Sequence, residues 1–170
     1  AGLETAVFAL CVTGAVYAYL RRSHMVAAVL ILATLLRPEG GLILAVLVIA
    51  EISNPKRNRS LLFSMIAIPA IFLMPFAVFK ISYYGSLLPN PFYAKTSFAW
   101  PQVVNGADYL WRYLSHYWGY GVLLLPVIIA LKKMNRDHRI VTMIVAIYMV
   151  YIIAIGGDVL KIHRFFIPII

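Results

Sequence analysis

Six apolar runs divide the chain, at about 5–20, 25–36, 41–52, 61–82, 119–131 and 140–155, and a seventh begins at Phe165. Runs this frequent leave too little polar sequence to cover a core with water-facing residues. Of the 170 residues, 63% are hydrophobic and 12% charged, about half of the roughly 25% charged residues usual in soluble domains. The mean hydropathy is +0.88. These values exclude a soluble globular enzyme. With one Cys and no compositional repeat, they also exclude disulfide-rich, collagen-like and disordered architectures. The expected fold is all-α, a polytopic membrane helical bundle of about six to seven spans. Cys11 lies inside the stretch from Ala6 to Leu20, has no partner for an intrachain disulfide, and reads as a small apolar packing residue. No basic stretch precedes the first run, so a signal peptide is not expected. From Ala1 to Ile170 the chain reads as an excerpt, a single transmembrane domain over 1–170 taken from the interior of a longer protein.

The net charge of +9 and pI near 9.9 would point to nucleic acid in a soluble protein. Here the charge has a topological origin, and no nucleic-acid partner is expected. The connections between runs alternate between two kinds. The basic kind comprises Arg21-Arg22-Ser23-His24, Asn54-Pro55-Lys56-Arg57-Asn58-Arg59 and Lys132 to Arg139. The other kind comprises Arg37-Pro38-Glu39-Gly40, the stretch from Ser82 to Trp118, and Gly156 to Arg164. Nine of the fifteen Lys and Arg fall in the basic set, with Glu51 and Asp137 as its nearby acids. The positive-inside rule counts Lys and Arg alone and puts the basic set in the cytoplasm. The parity holds at every loop.

The second and third runs are short, because twelve helical residues reach only about 18 Å against a hydrocarbon core of roughly 30 Å. They form either one long helix broken at Arg37-Pro38-Glu39-Gly40 or two short helices meeting below the outer surface. Pro38 forbids regular continuation, and Gly40-Gly41 weakens the start of the third run as a helix. Both arrangements put Arg37 and Glu39 at membrane depth, where irregular backbone is tolerated only inside protein or beside a wet cavity. The alternative is a surface hairpin closed by an Arg–Glu ion pair. Pro69, Pro75 and Pro126 read as tolerated helix kinks.

Between Pro101 and Trp118 the pattern becomes amphipathic. Val103, Ala107, Leu110, Leu114 and Tyr117 follow a helical stripe, with Gln102, Asn105, Asp108, Arg112 and Ser115 between them. Tyr109, Trp111, Tyr113 and Trp118 add aromatic density typical of a headgroup boundary. An interfacial amphipathic helix is expected at about 101–118 on the outer side, with His116 as a headgroup-level polar contact.

Three clusters outside the basic set hold most of the remaining polar residues: Arg37-Pro38-Glu39-Gly40, Tyr83 through Lys95, and Gly156-Gly157-Asp158 followed by Arg164. Charges near membrane depth cost a few kcal/mol each, so their one-sided distribution points to a polar cavity opening outward. Its cations would be Arg37, Lys95 and Arg164, suited to a phosphate or pyrophosphate. Tyr84, Tyr93 and Asn90 suit a sugar ring and its hydroxyls. Asp158 or Glu39 is a candidate general base, activating an acceptor hydroxyl. The four His and one Cys are scattered without ligand spacing, so no metal and no cofactor is expected, and no Gly-rich loop reads as a nucleotide fingerprint. Each cluster also has a plainer reading. Gly85 with Pro89-Asn90-Pro91 makes a good outer turn, and Gly156-Gly157-Asp158 a helix stop.

Taken in order, four spaced motifs resemble a known family. They are Gly2-Leu3-Glu4-Thr5, Leu36-Arg37-Pro38-Glu39-Gly40, Tyr83-Tyr84-Gly85 with Leu88-Pro89-Asn90 and Tyr93-Ala94-Lys95, and Gly156-Gly157-Asp158 with Arg164-Phe165 and Pro168. Together they resemble multi-pass glycosyltransferases of the GT-C fold, most closely bacterial relatives of the mycobacterial terminal arabinofuranosyltransferase. The resemblance implies a polyprenyl-phosphate-linked sugar as donor and a cell-envelope glycan or lipid as acceptor. It implies transfer on the outer side of a bacterial cytoplasmic membrane by a protein embedded among its lipids. It brings Glu4 into the substrate-binding set with Arg37, Glu39, Tyr84, Asn90, Tyr93, Lys95, Asp158 and Arg164. The principal catalytic Asp of such enzymes stands in a first outer loop, upstream of the region matching Ala1, so this chain would lack it. The chain departs from the family at Val159-Leu160-Lys161-Ile162-His163, where an aromatic–Met pair and Pro-Gly are frequent, and at Pro91, where Thr is frequent. The alternative function is a multi-pass transporter or flippase with a midplane site at the broken helix pair.

Overall fold

A computed structural model of the chain describes residues 2–87, 100–117, 135–157 and 166. Among the described residues there are six α-helices and no strand. They are α1 (Gly2–Leu20), α2 (Met25–Leu36), α3 (Glu39–Ile52), α4 (Arg59–Tyr84), α5 (Trp100–Tyr117) and α6 (Arg136–Ala154). Three of them, α1, α4 and α6, are long and apolar enough to cross a membrane. α2 and α3, at 12 and 14 residues, reach about 18 and 21 Å and fall short. Expected runs and observed helices match closely for α1 to α4 and α6, while the run at 119–131 and the start at Phe165 lie outside the described residues.

The chain divides into two compact units, residues 1–90 with 170, and residues 91–169. In the first, α2 is the central element and packs against α1, α3 and α4. The buried stripe of α1 is Thr5, Phe8, Val12, Ala15 and Tyr19, spaced three and four apart so that one helical face meets the neighbours. It meets Val26, Ala27, Leu30, Ile31 and Ala33 of α2, Ile43, Val46 and Leu47 of α3, and Leu61 and Met65 of α4. The outward faces are as apolar as the inward ones: Leu3, Leu10, Phe63, Ile71, Phe72, Met74 and Val78 are all exposed. Apolar surface on this scale is unusual for a soluble monomer and costs little against lipid. The helices are compatible with a membrane protein.

Pro69 and Pro75 lie within α4 without ending it. The helix stops where Gly85 adopts the left-handed conformation, φ 68°, and its N–H bonds Ile81 O at 2.9 Å.

In the second unit α5 and α6 pack on each other. The buried positions of α5 are Gln102, Gly106 and Tyr109, one step round the helix from the apolar stripe that the sequence displays. Gly106 sets this choice, since a Cβ there would fall on the Ile153 backbone. The stripe itself stays open, with Val103, Leu110 and Leu114 half-buried and Ala107 exposed. Gln102 donates to Ala154 O at 3.1 Å, satisfying one carbonyl at the end of α6. Tyr109 and Tyr113 stack on the buried Phe166 ring, with centroids 5.5 and 3.8 Å away.

Candidate functional site

The site begins with a helix break. Pro38 cannot extend α2, and Arg37 before it is extended, φ −147°, ψ 138°. One residue later α3 starts, with Pro38 already in helical conformation at φ −54°. Gly40 and Gly41 N–H groups bond the carbonyls of Arg37 and Pro38. The turn closes because Gly40 lets α3 touch α2: a Cβ there would fall on the backbone of Ala33 and Thr34. α2 and α3 therefore form a tight helical hairpin with Arg37-Pro38-Glu39 at its tip.

This turn brings together two residues nominated from sequence. Arg37 Nη2 donates to Glu39 Oε1 at 3.0 Å; the Glu39 side chain is buried, 7% exposed, and that of Arg37 is mostly covered, 11% exposed. The Arg37 guanidinium lies over the Phe8 ring of α1, 5.3 Å from its centroid. Glu39 sits in the first turn of α3, where the helix dipole favours a carboxylate. Two lengths agree on where this pair lies along the bundle. The length of α2 puts the tip about 18 Å from the end carrying the basic loops. Phe8 stands twelve residues before Leu20 in α1, also about 18 Å. Both values fall well short of a hydrocarbon core of roughly 30 Å. Of the two arrangements open from sequence, the structure shows the pair of short helices, and the ion pair of the plainer alternative is present at their turn.

The other nominated residues are not gathered here. Glu4 is exposed in the first turn of α1. Tyr84 is exposed at the end of α4, edge-on to Tyr83 at 4.8 Å. Asn90, Tyr93, Lys95, Asp158 and Arg164 lie outside the described residues. Gly156 and Gly157, both at positive φ, form the helix stop that is the plainer reading of that cluster. Gly156 N–H bonds Ile153 O and Gly157 N–H bonds Ile152 O, the paired bonds that close a helix around a left-handed residue.

A second polar centre went unseen in the sequence. Glu51, in the last turn of α3, is fully buried. Its Oε1 accepts from Arg22 Nη1 and from the Asn58 backbone N–H, both at 2.6 Å, and its Oε2 accepts from Tyr19 Oη at 2.8 Å. One carboxylate thus joins the end of α1, the α1–α2 turn and the start of α4. Arg22 reaches it from a left-handed backbone, φ 57°. Arg22 N–H bonds Tyr19 O and Ser23 N–H bonds Ala18 O, so Arg22 closes α1 as Gly156 closes α6, in a position that favours glycine. The strain costs about 1–2 kcal/mol and is offset by the bond to Glu51. Nearby, His24 Nδ1 and Ser64 Oγ lie 3.0 Å apart and join α2 to α4.

Among the described residues, no group of three or more His, Cys, Asp and Glu is placed to hold a metal ion. No family model matches this chain, and no curated protein or solved structure is significantly similar to it.

Proposed function

We propose that the chain is part of the membrane domain of a glycosyltransferase that takes its sugar from a polyprenyl-phosphate donor. In this reading the basic loops face the cytoplasm of a bacterium, and transfer to a glycan or lipid acceptor takes place on the outer side. The apolar runs beyond α1, α4 and α6 complete a bundle of six to seven membrane segments. α2 and α3 enter and return from the same side, and the alternation of loops is the same whether that pair counts as two crossings or none.

The observation that carries the proposal is the Arg37–Glu39 pair, largely covered at the tip of a hairpin too short to span, with Arg37 over Phe8. A buried ion pair is weak support for stability, since apolar replacement is often neutral or better. Charges retained at membrane depth mark substrate sites. Arg37 is the residue type that grips a phosphate in fixed geometry, and Glu39 orients it. That role replaces Glu39 as general base and leaves Asp158 as the weaker candidate within this chain, beside an Asp upstream. Glu4, Tyr84, Asn90, Tyr93, Lys95 and Arg164 remain the further donor-binding residues that the family resemblance nominates. In the transfer, an acceptor hydroxyl oxygen bonds to the anomeric carbon as the bond from that carbon to the donor phosphate oxygen breaks. Polyprenyl phosphate leaves with the electron pair, and the hydroxyl proton passes to the carboxylate base.

The test is turnover of a panel of polyprenyl-phosphate sugars by the intact protein in nanodiscs. Lys95→Ala and Arg164→Ala are expected to lower donor affinity without lowering expression. Unchanged affinity in both would overturn the phosphate assignment. The hairpin also favours a second reading, because transporters build midplane sites from interrupted helices. Movement of a lipid-linked sugar across liposomes without transfer would select it.

A further inference from the structure

The α3–α4 connection is short, basic and tied at several points. Its ends are fixed by Glu51, which accepts from Asn58 N–H at 2.6 Å. Asn54 Oδ1 accepts from Lys56 N–H at 3.1 Å, and Arg57 N–H bonds Asn54 O at 3.0 Å. Asn58 Oδ1 caps α4 by accepting from Ser60 and Leu61 N–H groups. This fixed loop frames an open depression of about 450 Å³ lined by Ile52, Ser53, Asn54, Pro55, Arg57 and Arg59.

The lining offers donors and cations and contains no acid. Arg57 and Arg59 are exposed at its rim. Glu51, the acid of this segment, is turned into the protein and engaged by Arg22, Tyr19 and Asn58. Asn54 is 7% exposed, and with Oδ1 committed to Lys56, its Nδ2 is a buried donor without a hydrogen-bond partner. A buried amide N–H left unpaired costs about 1–3 kcal/mol, and native structures rarely leave one so. Two exposed guanidinium groups on a lining without an acid form a site for an oxyanion.

We infer that this depression binds a phosphate group, gripped by Arg57 and Arg59. The group is either the headgroup of an anionic phospholipid or a phosphate free in solution. The loop directly precedes α4, a helix of membrane-spanning length, and so lies where a headgroup would reach it. The site lies at the opposite end of α3 from the Arg37–Glu39 pair and is independent of the transferase reading.

The test uses the whole chain in neutral detergent, with thermal unfolding followed by a thiol-reactive dye at Cys11, the single Cys. One arm titrates inorganic phosphate against chloride at matched ionic strength, and the other titrates phosphatidylglycerol against phosphatidylcholine. Saturable stabilisation by either anionic probe is expected, and the probe that acts identifies the source. The double variant Arg57→Gln/Arg59→Gln changes only exposed side chains and is expected to weaken that binding by about tenfold or more. Asn54→Asp keeps the acceptor for Lys56 N–H, adds a negative charge to the lining, and is expected to weaken binding similarly. Absence of saturable stabilisation in both arms, or equal stabilisation of wild type and the arginine double variant, would overturn the inference.

Discussion

Replacing Glu51 tests how the first unit is held together. In Glu51→Ala, three donors lose their acceptor at once: the Arg22 guanidinium, the Tyr19 hydroxyl and the Asn58 N–H. The Tyr19 side chain is 1% exposed and cannot turn to water, so its hydroxyl carries the full desolvation penalty of about 1–3 kcal/mol. The Arg22 side chain is 32% exposed, so part of its loss is recovered by hydration, and the pair falls below the value of a wholly buried one. The sum is about 3–5 kcal/mol, a large share of the total stability of most domains. Glu51→Gln keeps the volume and one acceptor oxygen but turns an amide donor toward other donors, and is expected to lose about half as much. Tyr19→Phe leaves the carboxylate its charged and backbone partners and costs about 1–2 kcal/mol. Cys11 lies half-buried in α1 of the same unit, so the rate at which a thiol dye reaches it on heating reports this unit's unfolding. The expected order of melting temperatures is wild type, Tyr19→Phe, Glu51→Gln, Glu51→Ala, with the last at least about 10 °C below the first. A Glu51→Ala protein melting with the wild type would refute the assignment of Glu51 as the tie between these segments.

The same assay reads three further sets of substitutions. Arg22→Gly and Arg22→Ala both lose the bond to Glu51, but only glycine relieves the left-handed strain, so Arg22→Gly should be the more stable by about 1 kcal/mol; the reverse order would argue against strain at this turn. Gly40→Ala puts a carbon on the backbone of Ala33 and Thr34 and should cost about 1–3 kcal/mol. Gly41→Ala meets Thr34 Cγ2 at an ordinary 3.8 Å and should be tolerated, so equal melting of the two variants would refute the close approach. Arg37→Met and Glu39→Met should each destabilise by about 3 kcal/mol or more, while the double variant recovers most of that loss. Donor binding, measured on the intact protein, should stay lost in the double variant; recovery of both would make the pair purely structural.

The helices were legible because the punctuation is strong. α2 runs over the residues of its apolar run, 25–36, since Arg21 to His24 precede it and Pro38 ends it. α4 begins two residues before its run because Asn58 caps it and Arg59 and Ser60 belong to the first turn, where polar residues are at home. The Arg37–Glu39 pair was legible for a local reason: two residues apart across Pro38, the side chains need only the turn to meet. Glu51 was not. Its partners lie 7, 29 and 32 residues away in three segments, and beside a basic loop it counted only as one stray acid. The packed face of α5 escaped too, because hydropathy marks the apolar stripe, whereas Gly106 determines where another backbone can approach.

Arg22 has a consequence for the order in which the chain takes shape. The turn that ends α1 contains a residue with no local preference for the conformation it adopts, and the carboxylate that holds it there is 29 residues further along. A chain growing from its N-terminus therefore makes α1 and α2 before the group that fixes their junction exists. Until α3 has been added and folded back along α2, the left-handed residue at the α1–α2 junction lacks the carboxylate that offsets its strain. Glu51 supplies that partner, and the same carboxylate ties the start of α4 through Asn58. The turn between the first two helices thus depends on a group from the third.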